Sequence, residues 1–253
     1  MSAGARFASK DIALTITFTA LYALFGFLKI SPIIGLSGQA ITAAAIMAPI
    51  IGILFGPYIG TLSALLGGVI GFTIGSFSQP SFFSGIIAAL CAGLIQNKRR
   101  MTGALIYASL LTVFALYPYV GPAWLFPLSL WFQIAGLIIL LSPLQSAAVK
   151  NLNSKANPKL VYSFFVTSLT STLAGQIAGS LVFEFMIADP ITLKGYWIGL
   201  TLLYPVERVI IALAAGLIGA SLYKVLRKTN LIVLPSGSEN RKMISEKSSR
   251  RTN

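Results

Sequence analysis

Histidine is absent from this chain, cysteine occurs once, and charged residues are scarce. Without histidine there can be no His-based zinc site, no histidine general base and no Ser–His nucleophile pair. The single cysteine, Cys91, allows neither an intrachain disulfide nor a multi-cysteine metal site. We therefore expect no enzyme activity, no bound metal and no cofactor.

The shortage of charge also excludes an ordinary soluble domain. Only 10% of the residues are charged, whereas soluble domains carry about a quarter. Hydrophobic residues make up 56% of the chain, and the mean hydropathy is +0.83. A surface with so few polar groups indicates that lipid solvates part of the protein.

Long apolar segments recur along the chain. They lie at about 12–29, 39–56, 58–76, 81–96, 102–118, 123–148, 160–187 and 196–226. Each approaches the length that crosses a bilayer, and alternating ten-residue strands are missing. These segments predict an all-α membrane protein, a polytopic bundle of six to eight transmembrane helices. The range reflects 102–148, which could be partly re-entrant around its prolines.

Basic residues outnumber acidic ones by 19 to 6, and their placement predicts topology. With eight spans and a cytoplasmic N-terminus, every basic residue except Lys29, Lys194 and Arg208 falls on the cytoplasmic side. We therefore expect a multi-pass plasma membrane protein with both termini cytoplasmic. Membrane lipid is an expected partner, and nucleic acid is not.

The two ends of the chain differ in character. The first apolar run lacks a small-x-small cleavage pattern at its far end, so we interpret it as the first membrane helix. Residues 229–253 have almost no apolar anchor and predict a disordered basic cytoplasmic tail. The transmembrane domain is thus predicted to cover 1–228.

Small residues repeat at intervals of four in several segments, a spacing that lets helix backbones approach closely. Most of these residues fit packing inside the bundle. Thr15, Thr19 and Ala23 on the first helix fit equally well a surface for a partner subunit.

Polar side chains within the last two spans are candidates for function, because charge in a membrane is expensive. Glu207 and Arg208 are adjacent, so on a helix they point about 100° apart and each needs another partner or a wet cavity. The preceding span carries a polar stripe at intervals of four: Ser168, Thr172, Gln176, Ser180 and Glu184. We predict that Gln176, Glu184, Asp189, Glu207 and Arg208 line a substrate cavity. The alternative is an Arg208–Glu184 or Arg208–Asp189 pair that only locks two helices together.

The predicted outer loops mix polar residues with aromatics, in 31–39 and 76–82. Gln39, Phe77 and Gln79 could stack on and hydrogen-bond a small ring compound, and Trp197 begins the last span on the same side. We include these four residues in the predicted substrate site. Aromatics in such positions also serve as interfacial anchors.

Two stretches resemble the S components, the substrate-binding membrane subunits of energy-coupling factor (ECF) transporters. One is IALTITFTALYALFGF followed by ITAAAIMAPIIGILFGPYIGTLSALLGGVIGFTIG, with a Gly-Pro-x-x-Gly turn at Gly56, Pro57 and Gly60. The other is YPVERVIIALAAGLIGASLYKVLRK, which is similar to the family's final helix.

The resemblance implies capture of a vitamin-like small molecule at the outer face. It also implies docking on a transmembrane coupling protein that carries two cytoplasmic ATPases, with the small residues of the first helix facing that protein. The segment 102–148 adds a hairpin to the six helices usual in the family. Two other readings stay open. One is a stand-alone proton-coupled transporter that uses Glu184, Asp189 or Glu207 as a relay, and the other is an intramembrane enzyme acting on a lipid-linked substrate.

Overall fold

A computed structural model describes residues 9–33, 38, 40–154 and 156–228. The predicted tail at 229–253 and the predicted site residue Gln39 lie outside this part of the chain. The helices are α1 (Ser9–Phe25), α2 (Ala44–Thr73), α3 (Gln79–Gln96), α4 (Arg100–Ala115), α5 (Pro122–Leu125), α6 (Trp131–Leu141), α7 (Pro143–Asn151), α8 (Asn157–Ile187) and α9 (Pro190–Lys228). A 3₁₀ turn, Pro127–Leu130, precedes α6.

Four of the described helices are long and apolar enough to cross a membrane: α2, α3, α8 and α9. A fifth candidate is the pair Pro127–Leu141 and Pro143–Asn151, which is bent by 61°. Between residues 198 and 218 the exposed residues of α9 are all apolar, as lipid contact requires. They include Leu202, Val206, Ile210, Leu213 and Leu217. The chain is therefore an all-α bundle with membrane-spanning helices, as its composition predicted.

The long helix α2 is two helices joined at Gly56. Gly56 has φ 80° and ψ −178°, which only glycine adopts readily, and Pro57 follows it. A Cβ added to Gly60 would lie 2.8 Å from the Cα of Gly52, although residues eight apart in a straight helix are separated by about 12 Å. The chain therefore doubles back at Gly56, and residues 44–55 and 57–73 form the two arms of a hairpin.

Helix α8 lies at the centre of the bundle. It contacts α3, α4, α6, α7 and α9, and most of its side chains are buried on every face. Gly179 lets α3 approach closely, because an added Cβ would lie 2.9 Å from the carbonyl oxygen of Pro80. A helix enclosed on all sides has its polar residues buried with it, so the polar stripe of α8 is inside the protein.

The connection between α1 and α2 contains two short strands, β1 (Lys29–Pro32) and β2 (Ala40–Thr42). They pair antiparallel, with Lys29 opposite Thr42 and Pro32 opposite Ala40. The sequence predicted a loop at 31–39 and assigned residues 40–42 to the next apolar segment, so β2 was not predicted. The strands are too short and irregular to show a period-2 pattern of apolar residues.

The segment 102–148 forms α4, two short turns and the bent pair α6–α7. The guanidinium of Arg100 donates hydrogen bonds to the carbonyl oxygen of Leu141 and the hydroxyl of Ser146, on either side of the bend. Tyr107 of α4 donates a 2.7 Å hydrogen bond to the carbonyl oxygen of Gln133 in α6. These hydrogen bonds hold α4 against the α6–α7 pair, so they join the two arms of the added hairpin.

Candidate ligand-binding cavity

A cavity lies at the end of the bundle where α1 ends and α2 begins. Its walls come from α1, β2, α2, α3, α8 and α9, with Ile33 and Ile41 contributed by the strand region. It encloses about 730 Å³ of space between protein atoms, including its open mouth. The cavity therefore has room for a ring-sized group whose other end reaches the mouth.

Two aromatic rings, Phe77 and Tyr22, line one wall of the cavity. Their centroids are 5.5 Å apart, and both side chains are almost fully buried. Glycine makes room for Phe77, because a Cβ added to Gly26 would lie 2.9 Å from its ring. Gly85 makes room for the hydroxyl of Tyr22 in the same way. The wall thus presents apolar faces on which a ring could stack.

The first turn of α3 supplies hydroxyl groups to the cavity. Ser78 caps this helix by accepting a 3.2 Å hydrogen bond from the backbone N–H of Ser81. Serine at the cap followed by proline in the first turn is a common way to begin a helix. The cap fixes the turn, and Ser81 and Ser84 then line the cavity.

The polar stripe of α8 supplies the opposite wall, through Thr172, Gln176 and Ser180. Gln176 is 4% exposed, yet neither its amide oxygen nor its amide nitrogen has a hydrogen-bond partner among the described residues. Thr172 donates to the carbonyl oxygen of Ser168, one turn earlier, and is satisfied within its own helix. Gln176 therefore lines the cavity and carries a donor and an acceptor that no described residue satisfies.

Helix α9 contributes Tyr204 and Arg208, which are one turn apart. Arg208 is 5% exposed, and the centre of its guanidinium lies 5.9 Å from the centroid of the Tyr204 ring. Its Nε has no hydrogen-bond partner among the described residues. Tyr204 and Arg208 both line the cavity, so a buried positive charge faces a space that can hold a ligand.

The carboxylates near Arg208 do not line the cavity. Glu184 is fully buried, and both its oxygens are without hydrogen-bond partners among the described residues. Glu207, which precedes Arg208 in the sequence, is also buried, and its Oε1 has no hydrogen-bond partner among the described residues. An Arg208–Glu184 hydrogen-bonded pair is therefore not formed.

Asp189 was predicted to line the cavity or to pair with Arg208, but its carboxylate caps α9. It accepts a 2.9 Å hydrogen bond from the backbone N–H of Thr192. The Thr192 side chain and this N–H both lower the pKa of the Asp189 carboxyl below its ordinary value. Asp189 is thus bonded to the start of α9 and not to Arg208.

Two other predicted site residues also lie away from the cavity. Trp197 is buried between α4 and α9, where its ring meets Phe114 edge-on at 5.4 Å and its N–H donates to the Val120 carbonyl oxygen. Gln79 is exposed at the first position of α3, next to Pro80, which lines the cavity. Of the predicted substrate-site residues described by the structure, Phe77, Gln176 and Arg208 are brought together.

The predicted partner-facing residues of α1 lie inside the protein. Thr15, Thr19 and Ala23 are buried. The hydroxyl of Ser63 donates to the carbonyl oxygen of Thr15 at 3.3 Å, and Gly67 packs against that of Thr19. In this structure the small-residue face of α1 therefore serves the contact with the second arm of α2.

Sequence reasoning missed several residues of the cavity wall: Tyr22, Thr42, Ser81, Ser84, Phe183 and Tyr204. A signal was present for two of them. Tyr204 precedes Arg208 by four residues, which places both on one helix face, and Ser81 belongs to the same polar–aromatic cluster as Phe77. The others become neighbours only when non-adjacent helices pack.

The fold and the cavity together define a class: a helical membrane protein with an internal cavity. Within the described residues no cluster of three or more His, Cys, Asp or Glu side chains could hold a metal ion. Comparison of the chain with protein-family models, curated proteins and solved structures finds no significant match.

Proposed function

We propose that this chain is the substrate-binding membrane subunit of an ECF-type importer, which captures a vitamin or similar micronutrient at the outer face. The observation that carries the proposal is the cavity, where aromatic rings meet buried polar atoms that have no hydrogen-bond partner among the described residues. Buried polar groups are normally satisfied, so unpartnered ones around a space suggest a ligand. The resemblance of the first and last helices to S components supports the same reading.

The topology that goes with this function has eight spans. Gly67 packs on Thr19 and Ser63 bonds to Thr15, so α1 runs parallel to the 57–73 arm of α2. Contacts of Gly52 with Ala89 make the 44–55 arm a neighbour of α3. The hairpin at Gly56, the bent pair α6–α7 and the central α8 then allow eight successive spans to alternate in direction.

The orientation follows from where the charge lies. The connection between α3 and α4 carries Lys98, Arg99 and Arg100, at the end of α3 away from the cavity. Helix α9 also ends in a basic turn, at Arg227 and Lys228. Basic loops stay in the cytoplasm, so in this proposal the termini are cytoplasmic and the cavity opens outward in the plasma membrane.

The partners in this proposal are a transmembrane coupling protein and two cytoplasmic ATPases. Because Thr15, Thr19 and Ala23 are buried, docking through α1 would use its exposed side chains instead. Ile12, Ile16 and Leu24 are more than half exposed and lie on that outer side.

The test is mass spectrometry of small molecules released by denaturing the protein after purification in mild detergent. A vitamin-sized compound at near-stoichiometric yield is expected, and Gln176→Met should lower its yield. Gln79→Met is the matched control, since Gln79 lies outside the cavity. Lipid alone in every preparation, or equal yields from both variants, would contradict the proposal.

One observation favours a second candidate, a stand-alone proton-coupled transporter. Glu184 and Glu207 are both buried, and both oxygens of Glu184 and Oε1 of Glu207 lack hydrogen-bond partners among the described residues, which suits a proton relay. Uptake of the released compound into proteoliposomes that contain only this chain, driven by a pH gradient and abolished by Glu184→Gln, would favour this candidate. No uptake without partner subunits favours the binding subunit.

A further inference from the structure

We propose that the ligand of the cavity is a small ring compound bearing a carboxylate, held by Arg208 and Gln176. This inference rests on the proposed binding function and adds the charge and chemical class of the ligand. Its basis is the set of residues that line the cavity, together with the lack of a hydrogen-bond partner among the described residues for Arg208 Nε and for the Gln176 amide.

The first step concerns charge. Among the described residues that line the cavity, Arg208 alone is charged at neutral pH, and the others are apolar, aromatic, hydroxyl or amide. Glu207 is next to Arg208 but does not line the cavity. Glu207 partly offsets the charge of Arg208, but no acidic side chain among the described residues lines the cavity. An anion in this space is therefore favoured over a neutral or cationic compound.

The second step concerns hydrogen bonding. A guanidinium presents a planar fork of donors that matches the two oxygens of a carboxylate. Gln176 of α8 lines the same cavity, its amide group has no hydrogen-bond partner among the described residues, and it can add a further donor. A carboxylate between α8 and α9 would satisfy both groups at once.

The third step concerns the rest of the ligand. Tyr22 and Phe77 form an aromatic wall, and Phe183 contributes a third ring. These rings offer flat apolar faces, which suit a ring compound better than an extended chain. The ligand class is therefore an aromatic or similarly flat monocarboxylate.

The experiment uses two pairs of probes that have the same shape and differ in charge: nicotinate with nicotinamide, and benzoate with benzamide. Each is titrated against the full chain in detergent, with affinity measured by calorimetry and ligand-observed NMR. Each acid should bind about tenfold or more tightly than its amide, the size expected for one charged hydrogen bond. In Arg208→Met this preference should fall to about one.

Arg227→Met is the matched control, because it removes the same charge from the same helix at an exposed position outside the cavity. It should keep the acid preference. Arg208→Lys keeps the charge but lacks the planar fork of donors, so it should keep only part of the preference for the acid. The ratio of acid affinity to amide affinity is measured on the wild-type protein and needs no variant, so the test holds even if Arg208→Met does not fold.

Equal binding of acid and amide, preference for the amide, or an acid preference that survives Arg208→Met would overturn the inference. Failure of all four probes to bind would overturn it as well. The released compound separates the two proposals. A neutral or cationic vitamin-sized compound contradicts the carboxylate and leaves the binding subunit standing, whereas the absence of any bound small molecule counts against both.

Discussion

Two polar clusters on the same helix differ in one respect, which is whether the protein satisfies them. The first joins α7 to α8: Gln145 donates to the Thr167 hydroxyl at 3.0 Å and accepts from the Thr170 hydroxyl at 3.0 Å. The second begins less than one turn later and lines the cavity, where the amide of Gln176 has no partner among the described residues. Both glutamines are buried.

The comparison shows that burial alone does not identify a functional polar residue. A glutamine with both hydrogen bonds made stabilises the contact between two helices. A glutamine with neither bond made, beside a cavity, carries a desolvation cost that a ligand can remove. The same substitution should therefore have different effects at the two positions. At Gln145 it should lower stability, and at Gln176 it should lower ligand affinity.

The largest expected effect on stability is that of Gln145→Met. It removes both interhelical hydrogen bonds while nearly keeping the side-chain shape, and should lower the free energy of unfolding by about 2 kcal/mol. SDS titration of the protein in mixed micelles measures this. Thr170→Val in the Gln145→Met background should then cost little more, since the bond between the two residues is already gone. If the two substitutions lowered the free energy of unfolding additively, Gln145 and Thr170 would not be coupled, which would contradict the hydrogen bond between them.

Gln176→Met makes the same chemical change in the cavity. The free energy of unfolding should stay within about 0.5 kcal/mol of wild type, because no protein hydrogen bond is lost. Affinity for the compound released from the wild-type protein should fall about tenfold. A loss of stability comparable to that of Gln145→Met, with affinity unchanged, would show that the two clusters do not differ as described.

Tyrosine offers a second matched pair. Tyr107→Phe removes the buried 2.7 Å hydrogen bond to the Gln133 carbonyl oxygen and should cost about 1 kcal/mol of stability. Tyr22→Phe removes a hydroxyl from the cavity wall and should leave stability nearly unchanged. The same SDS titration compares the two variants. An equal loss of stability in both would contradict the difference between a hydrogen-bonded tyrosine and a cavity-lining one.

The smallest effect concerns Asp189, a polar group that has a protein partner and lies at the surface. Because Thr192 lowers the pKa of Asp189, the ionised cap stabilises the folded state fully above the ordinary value of 3.8. That stability is lost as the pH falls below this value. Asp189→Asn should therefore be slightly less stable than wild type at neutral pH and equal to it near pH 3. Thermal unfolding across this range measures the difference, and a difference that does not change with pH would contradict the capping role.

Several features of the fold could be predicted from the sequence because they depend on local chemistry. The Gly56–Pro57 pair marks the point where the chain reverses, since only glycine adopts that backbone readily. Arg208 stood out because a charge within an apolar segment is costly wherever that segment packs. The wider polar stripe of α8 was visible as a spacing, but spacing does not show which members have partners.

What the sequence by itself determined is the insertion of apolar helices into lipid and the polarity of the faces of α8 and α9. These follow from the free energy of transferring side chains and backbone into a bilayer, which each segment carries with it. Only the tertiary structure decided that Gln176, Arg208 and Phe77 share one cavity while Gln145 does not belong to it. That choice depends on close approaches between helices distant in sequence, such as α3 and α8 at Gly179, and no local pattern specifies them.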